Sequence, residues 1–115
     1  MTMPDAIGIV EMFGLVAAYV AADAAAKAAD VKIIAIDTNK PAHAEREEVP
    51  LITVVKMQGS VAAVNAAVEA AAEQAQRITG LISKHVIARP TEDAQKMAER
   101  VSVGRDIIGH IQNNK

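Results

Sequence analysis

Two alanine-rich runs, LVAAYVAADAAAKAAD (15–30) and VAAVNAAVEAAAEQAQRI (61–78), constrain this chain more than any other feature. Alanine is the best helix former, so both predict helices. Each is framed by β-branched runs. AIGIVEMFG (6–14) and VKIIAI (31–36) frame the first, and LITVVKMQG (51–59) and LISKHVIAR (81–89) the second. Short runs of this kind bounded by Gly and Pro read as strands. A third helix follows over TEDAQKMAER (91–100). The order β-α-β-β-α-β is the split βαβ, ferredoxin-like plan, of the α+β class with a C-terminal helix or tail.

The boundaries carry chemical signals. Ser60 and Thr91 are suited to capping the second and third helices. Gly80 follows the second helix, where a left-handed residue ends many helices. Pro50 stands at the mouth of the third strand and Pro90 stops the fourth. On the first helix, Leu15, Ala18, Tyr19, Ala22, Ala26 and Ala29 repeat at helical spacing and predict the buried face. Asp23 and Lys27 form an i, i+4 pair in the favourable order. On the second helix, Val61, Val64, Val68, Ala71 and Ala75 predict the apolar stripe. The segment VSVGRDIIGHIQNNK reads as a last strand, a helix segment or a tail. The division expected is a domain over 1–100 and an extension over 101–115.

Composition narrows the functional classes. The chain has 115 residues, so the length prior gives one domain. Phe13 and Tyr19 are its only aromatic residues. A core of Ala, Val and Ile is thin for so small a domain, which favours stabilisation by a subunit interface. A net charge of −2 gives no basic field for nucleic acid. The absence of cysteine removes disulfides, thiolate nucleophiles and Cys-ligated metals. The most apolar run is broken by Asp23 and Lys27 and falls short of a membrane span of about 20 residues. No secretory signal is visible. A soluble, intracellular protein is expected.

Enzyme motifs are missing: there is no GxGxxG, no phosphate loop and no GxSxG elbow. His43, His85 and His110 lie far apart, none with a second ligand at helical spacing. His85, inside a strand, reads as a structural histidine. Glu11 is the nearest candidate for an acid–base group, and it reads instead as a hydrogen-bond acceptor near a subunit contact. No enzyme activity, cofactor or metal is expected.

AIGIVEMFGL, AADAAAKAADVKI and KHVIARP, in that order and at these distances, resemble the hexameric single-domain shell proteins of bacterial microcompartments. The resemblance covers residues 5 to about 98. It implies flat hexamers that tile edge to edge into a sheet around a set of enzymes, with a central pore for small metabolites. It implies edge roles for Lys27 and Arg89, with Pro90 following as in the family pattern. Asp30 falls where the family often has asparagine. The partners implied are other copies of the chain, other shell proteins and enclosed enzymes, with no nucleic acid or membrane, in a shell within the cytoplasm.

One stretch departs from that pattern. The loop between the second and third strands lines the family's pore and is usually short and rich in Gly and Ser. Here DTNKPAHAEREEVP (37–50) has no glycine and is longer than a tight turn needs. Sixfold repetition would turn Glu45, Glu47 and Glu48 into carboxylate rings, and Lys40, His43 and Arg46 into cationic or titratable ones. Glu rings favour cations and Arg or His rings favour anions. A mobile, solvated loop is the plain alternative. Two rivals to the shell reading remain. One is a regulatory or ligand-binding oligomer with a sensing loop at 37–50. The other is an acylphosphatase-like hydrolase, which EMFGL does not support.

Overall fold

A computed structural model describes residues 5–39 and 51–100. Its elements are β1 (Ala6–Phe13), α1 (Leu15–Ala28), β2 (Lys32–Asn39), β3 (Ile52–Gly59), α2 (Val61–Ile78), β4 (Leu81–Ile87) and α3 (Glu92–Glu99). The four strands form one sheet in the order β2-β3-β1-β4. All three pairings are antiparallel. This is the expected α+β plan.

The caps act as the sequence predicts. The Ser60 hydroxyl oxygen accepts from Ala63 N–H at 3.1 Å, and the Thr91 hydroxyl from Ala94 N–H at 3.1 Å. Gly80 takes φ 126° and donates to the Ala75 carbonyl at 2.8 Å, closing α2. A residue with a Cβ is strained at that φ.

Helices α1 and α2 pack side by side on one face of the sheet. Ala17, Ala18, Ala21, Ala22 and Ala25 of α1 meet Val64, Ala67, Val68, Ala71, Ala72 and Ala75 of α2 in a core with Val10, Met12, Val55 and Met57 of the sheet. Gly8 makes this approach possible. A Cβ there would lie 2.6 Å from Val68 Cγ2 and 2.8 Å from Val64 Cγ1. Thr53 is the buried polar side chain of this core, and its hydroxyl has no partner among the described residues.

The buried face of α1 differs from the expected one. Tyr19 is 53 % exposed and Ala26 is exposed, while Ala17, Ala21 and Ala25 are buried. The helix is turned by about one residue. Val16, Tyr19 and Val20 share the outer side with Asp23 and Lys27, so the helix has little hydrophobic contrast, and packing against α2 and the sheet chose the face. On α2, Val61 is exposed and the rest of the predicted stripe is buried. Strand β2 runs to Asn39, three residues into the expected loop, because its pairing with β3 continues to Ile52. Strand β4 ends at Ile87 rather than Arg89. Among the described residues, no helix is long and apolar enough to cross a membrane.

Candidate functional site

The strand register sorts the candidate residues to two ends of the sheet. At one end Ala6 pairs with Gly59, Ile7 with Ile87, and Lys32 with Gln58. Lys27 lies in the last turn of α1, and Asp30 follows before β2. Asp30 is fixed against the sheet end, since a Cβ on Gly59 would stand 2.9 Å from the Asp30 carbonyl oxygen. Arg89 lies two residues beyond Ile87, with Pro90 after it. Lys27, Asp30 and Arg89 are all exposed. The register thus brings Arg89 to the same end of the domain as Lys27 and Asp30, from a distant part of the sequence.

At the other end Phe13 and Asn39 both pair with Ile52, and Gly14 N–H donates to the Leu51 carbonyl at 2.8 Å. Gly14 has φ 88°, which lets the chain turn straight from β1 into α1. Strand β2 ends and β3 begins at this end. Lys40, His43, Glu45, Arg46, Glu47 and Glu48 lie outside the described residues. The seven residue steps of β3 separate the two ends by about 23 Å.

Local chemistry at the first end is simple. The Lys27 ammonium meets Asp23 at 2.7 Å, both largely exposed. Such a pair is worth a few tenths of a kcal/mol and leaves the lysine available to a better partner. The exposed Arg89 carries a planar guanidinium with donors in a fixed fork.

Glu11 is half-buried within β1 and accepts from the Ser83 hydroxyl at 2.6 Å, a cross-strand contact within the chain. His85 is exposed on β4 opposite Ile9, so it is a surface residue rather than a packed structural one. Between α2 and β4 runs a groove lined by Glu69, Ala70, Ala72, Glu73, Leu81 and Lys84. Glu69 pairs with Lys84 at 2.6 Å and Glu73 with Arg77 at 2.7 Å, so its charges are matched on the surface. Among the described residues no group of three His, Cys, Asp or Glu could hold a metal.

One constellation escaped the sequence reading. Lys56, 13 % exposed, pairs with Asp37 across β2 and β3. Its ammonium also donates to the Arg100 carbonyl at 3.2 Å, and it lies 3.4 Å from that of Met97. Gln58 and Gln95 exchange side-chain amide bonds at 2.7 and 3.0 Å. These contacts fasten α3 to the sheet face that α1 and α2 leave open. The available signal was a lysine inside TVVKM, an otherwise apolar strand, where a buried charge needs partners.

Comparison with known proteins identifies the family and the fold. The family model described as BMC domain matches residues 6–90. The chain belongs to the BMC domain family. Carboxysome shell protein CsoS1 of Prochlorococcus marinus is 41% identical over 97 residues, 82% of this chain and 84% of that protein. Bacterial microcompartment shell protein EutM of Salmonella typhimurium is 38% identical over 93 residues, 81% of this chain and 88% of that one. A crystal structure of a microcompartment protein from Desulfitobacterium hafniense shares the fold, with TM-score 0.64 and 23% identity over 92% of this chain. The chain spans 52% of that longer one. On this kinship the BMC domain chain is a structural shell protein of bacterial microcompartments.

Proposed function

We propose that this BMC domain chain is a ring-forming shell tile. Six copies surround an axis with the 40–50 end of the sheet inward, and rings join edge to edge through Lys27, Asp30, Arg89 and Pro90. The observation that carries the reading is that Lys27, Asp30 and Arg89 lie at one end of the sheet, while β2 ends and β3 begins at the other. A ring needs such polarity: one end meets the axis and the other meets the next ring. Closed cyclic symmetry is the common way to assemble identical subunits. The thin alanine core supports the reading, since an interface supplies area that a small domain lacks.

In this arrangement residues 1–100 form the tile and 101–115 an extension. The partners are other copies, other shell proteins and enclosed enzymes, and the place is a shell in the cytoplasm. Rings of Glu45, Glu47 and Glu48 beside Lys40, His43 and Arg46 set which ions pass the axis.

Size-exclusion chromatography with light scattering, then electron microscopy of the same sample, tests the tile. The expected particle has six times the 12.1 kDa chain mass and grows into sheets or tubes. Arg89→Ala keeps the ring and loses the sheets. A monomer, or a dimer or trimer that never tiles, ends this reading and favours a ligand-sensing oligomer. Replacing AHAEREE (42–48) by a short Gly-Ser turn tests the axis: unchanged solute passage would remove any gating role.

A further inference from the structure

The sheet face opposite α1 and α2 is only partly covered among the described residues. Residue alternation places Ile7, Ile9, Glu11 and Phe13 of β1 on that face, because Gly8, Val10 and Met12 face the helices. The register sets Ile9 beside Lys56 and Glu11 beside Val54. Helix α3 is the described element here; it packs next to β2 and reaches β3 through Gln58 and Lys56. From Lys56 toward the end where β2 stops, Ile9, Phe13, Ile52 and Val54 are half-buried. They form an apolar strip with the Glu11–Ser83 pair along its side.

The chain reaches this strip from α3. The Arg100 carbonyl accepts from Lys56, the register partner of Ile9. Val54 is the next residue of β3 on the same face, about 7 Å further, and Ile52 about 13 Å. Fifteen residues, VSVGRDIIGHIQNNK (101–115), follow Arg100. Their extended span is at most about 50 Å, and even as a helix they would reach about 22 Å, so either exceeds the strip. Val101, Val103, Ile107, Ile108 and Ile111 give the segment an apolar content that an exposed extension does not need. Arg105 adds a positive charge complementary to Glu11.

We infer that residues 101–115 dock on this strip of their own chain and complete the third layer that α3 begins. Lys56 holds α3 where the chain can enter the strip. The BMC domain match ends at residue 90, so both α3 and this cover are additions to the matched region. The inference concerns a single chain and holds whether or not rings form.

The absence of cysteine makes the test direct in the 115-residue chain. Ile9→Cys or Val54→Cys is combined with Val103→Cys, Ile107→Cys or Ile111→Cys. The control replaces the strip position with Val16→Cys, on the outer surface of α1 and 73 % exposed. Mild oxidation should give an intramolecular disulfide from the strip to at least one of these positions, independent of protein concentration. It should form about tenfold faster than from Val16→Cys. Disulfides only between chains overturn the inference in favour of a neighbouring copy's segment, and equal rates from both surfaces overturn it outright. A second variant set keeps the strip intact. With Val54→Cys alone, adding Ile107→Ser, Ile108→Ser and Ile111→Ser should speed thiol alkylation about tenfold. An unchanged alkylation rate also overturns the inference.

Discussion

The two faces of the sheet are held by different physics. On the helix face, small side chains bring α1, α2 and the sheet so close that Gly8 has no room for a methyl group. Dense packing there tolerates neither added nor removed volume. On the opposite face, α3 is fastened by charge and amides: Lys56 to Asp37 and the Arg100 carbonyl, and Gln58 to Gln95. Such contacts are directional and depend on few atoms. The first face therefore carries global stability, and the second positions one helix. This separation lets the second face vary while the helix-face core keeps its shape.

Substitutions can break that contrast, beginning with the largest expected effect. Met57→Ala opens a cavity beside Gly8 in the helix-face core, and should cost about 2–5 kcal/mol of global stability. Denaturant unfolding at fixed protein concentration measures it, and a loss below about 1 kcal/mol would show that the core collapses to fill the space. Gly8→Ala forces its Cβ into Val64 and Val68, and should cost about 1–3 kcal/mol.

Lys56→Met probes the other face. It removes charge-assisted bonds worth about 1.5–3 kcal/mol together, with the effect confined to α3. Hydrogen exchange should rise at Gln95–Glu99 and stay constant in α2; a uniform rise through both helices would erase the distinction between the faces. Thr91→Ala removes the α3 cap and should cost about 1 kcal/mol, again read as local exchange.

Thr53→Val sharpens the contrast with the opposite sign. The Thr53 hydroxyl is buried without a partner among the described residues. Exchanging it for a methyl group should raise the unfolding midpoint, by about 1 kcal/mol in stability. No gain would point to a water that satisfies the hydroxyl.

The sequence determined the order of the elements, the whole of α2 and the caps at Ser60 and Thr91. These depend on near neighbours: alanine propensity, a hydroxyl three residues from an amide, and a glycine where only a glycine relaxes. It also singled out Lys27, Asp30 and Arg89, but through a family resemblance, since each alone is an ordinary surface charge. The tertiary structure decided what local chemistry leaves degenerate. It chose the face of α1, where the larger apolar residues Val16, Tyr19 and Val20 lie on the outer side and could not mark the core. It extended β2 to Asn39, because pairing with β3 outlasted the apolar run. It put Asp30 and Arg89, 59 positions apart in the chain, at one end of the sheet. And it gave Lys56 its partners on α3, 41 and 44 residues away. Such contacts form only once the register of the sheet is set, so no short window of sequence contains them.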